Sequence, residues 1–354
     1  MRQTLAIFHD AYRGLRARKM FWVVLFLSVF VVITFACVGV NDKGLTLLVW
    51  GLHFGPTANE LPPAMFYKTM FVSLGIGVWL TWIATILALI STAGIFPNFT
   101  AKGAIDLVVA RPISRLRLFL TQYSAGLSFV TLQIAAFSVA SFLVIGLRGG
   151  TWEPGLFLAI PLVVCFFSYL SCVCVLVGLL TRSTVAALLL TLLFWVLIFI
   201  VHSAETGLLM GRKMAEHKPT TARTEVAAAP ASTRPTHPPI ASQPHVLADT
   251  GGESDQENKT IRYLDIAHRF AYGVKSVLPK TTETIDLLGR TLISTADLPQ
   301  AEDDAGPQAS QQTAVKELVH ELRSRSPWWI VGTSLAFEAV ILALASWVFC
   351  RRDF

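Results

Sequence analysis

Long apolar runs separated by short basic turns dominate this chain. Six of them reach the roughly 20 residues that an α-helix needs to cross a bilayer core: residues 21–40, 70–95, 118–146, 155–180, 184–202 and 328–349. A shorter run, Leu45–Phe54, cannot span and is expected at an interface. The third run carries Gln122, Tyr123 and Gln133. Residues 1–19 read as an amphipathic helix, with Leu5, Ile7, Phe8, Ala11, Tyr12 and Leu15 on one side and His9, Asp10, Arg13 and Arg16 on the other. Such a helix lies in the membrane interface. The first run exceeds the apolar region of a cleavable signal and no small-x-small site follows it, so it is read as a span. The fold class expected is all-α, a polytopic membrane bundle of six transmembrane helices.

The pattern changes between the fifth and sixth runs. Residues 1–202 hold the N-terminal helix and five spans, 203–327 form one long loop, and 328–354 hold the last span and a tail. Within the loop, 212–260 is rich in Pro, Ala, Thr and Ser, with Pro219, Pro230, Pro235, Pro238, Pro239 and Pro244. That composition buries too little apolar surface to fold and predicts disorder. Helical spacing returns over 261–298. Ile261, Leu264, Ala267, Phe270, Val274 and Val277 recur every three or four residues, and Pro279 stops them. Thr281 or Thr282 then caps a second helix carrying Ile285, Leu288 and Leu292. A last amphipathic stretch, 313–326, leads into the sixth span through Val315, Leu318, Val319 and Leu322.

Composition agrees with a lipid solvent: 53% of residues are hydrophobic, only 15% are charged, and the mean hydropathy is +0.57. The net charge of +6 suggests nucleic acid only until the charges are located, because they flank the apolar runs. One side of the predicted bundle holds Arg2, Arg13, Arg16, Arg18, Lys19, Lys102, Arg111, Arg115, Arg117, Arg182, Arg351 and Arg352, twelve in all. The short loops of the other side hold three, Lys43, Lys68 and Arg148. By the positive-inside rule both termini are cytoplasmic and 203–327 is outside. The five cysteines lie in or beside apolar runs and imply no disulfide framework. Histidines 217, 237, 245, 268 and 320 lack the spacing of a metal site and read as solvated residues.

The loop between spans two and three, 96–117, is the richest in chemistry. Pro97 is expected to end span two. Residues 101–110 then make a short helix with Ile105, Leu107, Val108 and Val109 apolar and Lys102 and Asp106 polar. Arg111-Pro112 breaks it, because the residue before proline is driven out of the α region. Ser114 caps span three, with Arg115 and Arg117 at the headgroup level. A short helix lying along the cytoplasmic surface with apolar knobs is a docking element for another protein.

The stretch KGAIDLVVARPISRLRLFLTQYSAG resembles the coupling loop of type-two ABC exporter permeases, especially the group associated with maturation of multi-copper enzymes. Leu15-Arg16-Ala17-Arg18-Lys19 and Phe349-Cys350-Arg351-Arg352-Asp353 are similar to that family's two ends. The resemblance covers the six spans, not the insertion around 212–260. Ala101 stands where the family has an acidic residue, and Ala104 where it has threonine. The resemblance implies a separate ATPase subunit docked on Lys102, Gly103, Asp106, Arg111, Pro112, Ser114 and Arg115, with ATP and magnesium held by that partner. It also implies a second permease copy or close homologue and a site in the bacterial inner membrane. The chain has no Gly-x-x-x-x-Gly-Lys-Ser/Thr loop, so it is read as a transport subunit and not itself an enzyme.

Glu338 falls at the middle of span six, where a carboxyl is costly and marks a translocation path or a contact between halves. The alternative is a structural carboxyl, protonated or hydrogen-bonded to Thr333, Ser334 or a neighbouring helix. Two other functions fit parts of the pattern. A secondary transporter would use several midplane ionisable groups in paired repeats, and this chain has one such carboxylate and no repeat. A membrane scaffold or sensor would work through 203–327 and leave the coupling motif without a role.

Overall fold

The computed structural model describes residues 19–41, 44–47, 50–51, 63–99, 114–216, 262–263, 265–267, 269–276, 278–292 and 326–351. The expected N-terminal helix, the helix over 101–110 and the helix over 313–326 lie outside the described residues. The chain divides into two compact units. The larger takes Met1–Ile200, Ser276–Pro299 and Ser326–Phe354; the other takes Val201–Lys275 and Gln300–Arg325.

Five helical stretches are long and apolar enough to cross a membrane: Met65–Pro97, Arg115–Gly149, Pro154–Thr181, Thr184–Gly211 and Pro327–Arg351. The first expected span, α1 (Lys19–Cys37), is apolar over the shorter stretch Trp22–Cys37, so the described count is five rather than six. The outward faces are apolar. Phe26, Phe30 and Ile33 on α1 and Val185, Leu189 and Leu193 on α7 (Thr184–Glu216) are exposed, the reverse of a helix facing water.

After α1 the chain forms a small antiparallel sheet, β1 (Val38–Asn41), β2 (Gly44–Leu47) and β3 (Trp50–Gly51), paired in that order. Asn41 pairs with Gly44 at the end of the β1–β2 ladder. The expected interfacial run over Leu45–Phe54 thus begins in strands. The Tyr67 hydroxyl donates to the Val38 carbonyl at 2.9 Å and pins β1 to the helix that follows.

The second span is a composite of α2 (Pro63–Met70), a π-helix over Phe71–Ala84, and α3 (Thr85–Ala93). The hydroxyls of Thr81 and Thr85 donate to the carbonyls of Ile76 and Leu80, five residues back, in step with the wider turn. The span closes at Pro97, as the sequence predicts, with a turn in the helix at Gly94. Pro97 sits inside α4 (Ile95–Phe99), because proline in the first turn of a helix removes no needed donor.

α5 (Arg115–Gly149) opens on Ser114, whose extended backbone lets its hydroxyl accept from the Arg117 N–H at 3.4 Å. It closes on Gly150 at φ 70, a left-handed cap that glycine adopts without strain. Trp152 then folds back over Gly146, where any side chain would strike the indole. A 3₁₀ turn over Pro154–Leu158 leads into α6 (Ala159–Thr181). Arg182 at φ 54 returns its N–H to the Gly178 carbonyl, and the Ser183 hydroxyl accepts from Ala186 N–H to open α7.

α7 runs on to Glu216, well past residue 202. The segment 203–216 holds good helix formers and no proline, so residues 212–216 are helical rather than disordered. Within the second unit, the described positions of 262–275 are helical, and Tyr263, Ile266 and Phe270 are exposed. Lys275, at the end of that helix, pairs with buried Glu205 on α7 at 2.6 Å.

α8 (Thr281–Leu292) begins one residue earlier in its hydrogen bonding than a threonine cap would allow. The Lys280 carbonyl accepts from the Thr284 N–H at 3.0 Å, so Thr281 is the first helical residue. Its face of Thr281, Thr284, Leu287 and Leu288 is buried against α6, the 3₁₀ turn and α9 (Pro327–Arg351). Phe71, Trp79, Phe129, Phe137, Phe166, Phe167 and Trp195 fill the core between the spans.

Candidate functional site

Three helices converge on Glu338. Glu338 is 8% exposed on α9, and its carboxyl meets hydroxyls from two other helices. Tyr123 on α5 donates to Oε1 at 2.8 Å. Ser168 Oγ on α6 lies 2.7 Å from Oε2. The Tyr123 hydroxyl also lies 3.2 Å from the Ser168 carbonyl and 3.3 Å from Ser171 Oγ. Ser168 and Ser171 are three apart on α6 and therefore share one face.

Glu338 makes no ion pair among the described residues. A buried charge without a counter-charge is costly, and hydroxyl donors offset only part of that cost. The expected contacts within its own helix are not the ones made. Thr333 and Ser334 instead hold Lys280: Lys280 Nζ donates to Thr333 Oγ1 at 2.7 Å, and its backbone N–H donates to Ser334 Oγ at 2.9 Å. The Lys280 ammonium also sits 5.0 Å over the Trp329 ring.

A half-open cleft adjoins this cluster. Tyr123 and Ser171 line it together with Gln122, Thr92, Phe96 and Cys174, and it holds about 360 Å³ of empty space including its mouth. Glu338 is thus joined to the cleft wall through the Tyr123 hydroxyl.

The other expected site divides. Ser114 caps α5 as the sequence predicts, and Arg115 donates to the Cys350 carbonyl at 3.3 Å. Lys102, Gly103, Asp106, Arg111 and Pro112 lie outside the described residues. Sequence reasoning singled out Glu338 but missed Tyr123 and Ser168 as its partners. Their signal was present: Tyr123 is a polar interruption of the third run, and Ser168 and Ser171 are polar positions at helical spacing in the fourth.

No protein-family model matches the chain, and neither a curated protein nor a solved structure matches it at a significant level.

Proposed function

We propose that this chain is the membrane-spanning permease subunit of an ATP-driven, ABC-type exporter in the bacterial inner membrane. Six spans cross the bilayer with both termini in the cytoplasm. α1 counts as the sixth, because its 19 residues rise about 28 Å at 1.5 Å each, close to the roughly 30 Å core. Two copies, or one copy and a close homologue, pair in the membrane, and each docks a separate ATPase that holds ATP and magnesium.

The observation that carries this reading is the loop between spans two and three. Its Lys102-Gly103, Asp106 and Arg111-Pro112-Ile113-Ser114-Arg115 resemble the family's coupling helix. The surrounding frame is compatible with that use. α4 ends at Phe99 and α5 opens at Ser114, so the loop hangs between two helix ends. Arg115 also reaches the end of α9, which links the loop's exit to the last span. ATP-driven closure of two ATPases would pull on these ends and rock the two permease copies between inward- and outward-open states.

The test is co-purification with a P-loop ATPase from native membranes. Asp106→Lys and Arg111→Glu each place like charge against the partner, which costs several kcal/mol at an interface. Both variants are expected to insert normally and lose the ATPase. Retention of the ATPase by both would remove the loop as the docking site.

A further inference from the structure

We propose that the cleft between α1, the second span and α5 binds an uncharged apolar molecule, held by a hydrogen bond from the Gln133 amide to a carbonyl or ether oxygen of the ligand. This inference concerns the larger unit alone and does not depend on an ATPase partner.

The cleft begins in the second span. Its π-helix over Phe71–Ala84 gives way to α3 at Thr85, and such wide turns are frequent at functional sites. Ala84 and Ala88 are four apart and share one face. Their small side chains leave room opposite Val24 and Ser28 of α1 and Gln133 of α5. The space is about 330 Å³ including its mouth, the size of a small ligand pocket.

Gln133 carries the site. It is 5% exposed, and its amide nitrogen meets no acceptor among the described residues. A primary amide brings two N–H donors, and a buried donor left unmatched is costly. The Thr85 hydroxyl, which also lines the cleft, already donates to the Leu80 carbonyl at 2.8 Å.

The chemistry of the ligand follows. No charged side chain lines the cleft among the described residues, so the ligand is uncharged. The unmatched group is a donor, so the ligand brings an acceptor. Gln133 lies 18 residues after Arg115 and 16 before Gly149, which is mid-depth in a helix that crosses the bilayer. The ester carbonyls of phospholipids sit in the interfacial layer outside the hydrocarbon core, so bulk lipid offers no acceptor there. The molecule that fits is a lipophile with its oxygen inside an apolar body.

The pattern recurs along α5. Ser141 is 3% exposed, and its hydroxyl also meets no partner among the described residues. It lines a second apolar cleft of about 250 Å³ with Val32 and Phe35 of α1 and Phe71 of the second span. Eight positions separate Gln133 from Ser141, about 12 Å along a helix axis. Phe137, on the same face between them, stacks on Phe71 with ring centroids 6.1 Å apart. The seam of α1, the second span and α5 thus presents an unmatched donor at two depths.

The experiment is photolabelling of the full chain in lipid nanodiscs with a sixteen-carbon ketone that carries a diazirine beside its carbonyl. Adducts within 24–28 or 130–134, displaced by 8-hexadecanone and not by hexadecane, are expected. Gln133→Leu should reduce them several-fold. Unchanged labelling in that variant, equal displacement by hexadecane, or adducts spread over exposed apolar positions such as Phe26 and Leu193 would overturn the site. The same variant tests the amide without any ligand. Replacing an unmatched donor by an apolar group of similar size should leave the thermal midpoint equal to or above that of wild type. A lower midpoint would show that the amide already has a partner inside the protein, and would overturn the assignment.

Discussion

The Arg115 guanidinium donates to the Cys350 carbonyl at 3.3 Å, so the first turn of α5 and the last turn of α9 lie at one end of the bundle. Lys68 and Glu153, 2.6 Å apart, bring the starts of the second and fourth helical spans together. α5 runs from Arg115 to Gly149 and hands over to the 3₁₀ turn within a few residues, so these two contacts mark opposite ends. This alternation is what a membrane-crossing bundle requires. With the excess of basic residues in the short loops of one side, the proposed orientation predicts that Ala241→Cys, in a background without native cysteines, reacts with an impermeant maleimide on intact cells and Ala104→Cys does not. The reverse pattern would invert the proposed orientation.

The Lys68–Glu153 pair is partly exposed, at 18% and 32%, and such pairs contribute about 0.2–1 kcal/mol. Lys68→Glu is expected to lower the thermal midpoint of the purified protein slightly. The exchanged double variant Lys68→Glu/Glu153→Lys should recover most of that loss. A double variant no better than the single one would show that the pair contributes nothing beyond its geometry.

Glu338→Gln and Glu338→Leu separate hydrogen bonding from shape. Gln keeps an acceptor for Tyr123 and a group facing Ser168, whereas Leu removes both contacts and leaves the two hydroxyls only their bonds to the Ser168 and Cys165 carbonyls. Each lost hydrogen bond contributes about 0.5–1.5 kcal/mol. Leu is therefore expected to lower unfolding stability in detergent by more than Gln. Equal midpoints for the two variants would contradict a tightly coupled cluster.

The buried Lys275–Glu205 pair in the second unit has side-chain exposures of 6% and 0%. Removing one partner of such a pair costs about 3–5 kcal/mol, while replacing both with apolar groups is near neutral. Lys275→Met should reduce the yield of folded protein, and Lys275→Met/Glu205→Leu should restore it. No recovery in the double variant would mean that Glu205 serves another contact that leucine cannot replace.

Much of this architecture was legible in the run lengths. The second to sixth apolar runs all became helices, because a stretch of that length and hydropathy has one way to satisfy its backbone in lipid. Boundaries were less legible. Pro97 was read as the end of the second span and the span closes there, but the turn at Gly94 and the short helix Ile95–Phe99 were not foreseen. The extension of α7 to Glu216 was hidden by its polar composition, although its residues favour helix. The sheet after α1 was not foreseen, since Val38–Gly51 carries too short a pattern to separate strand from interfacial loop. At the site, the sequence exposed Glu338 by its depth alone. Its partners come from helices 215 and 170 positions away in the chain, and no local period encodes such pairings.

The central claim is that an ATPase docks on the loop between the second and third spans. It is tested most directly by placing a photoreactive amino acid at position 106 and irradiating intact native membranes. A covalent adduct with a P-loop ATPase, lost when Arg111→Glu is added, is the result expected from the proposed function. Efficient cross-linking to lipid or to other membrane proteins, with no ATPase adduct at 106 or at the neighbouring positions 102 and 109, would contradict it.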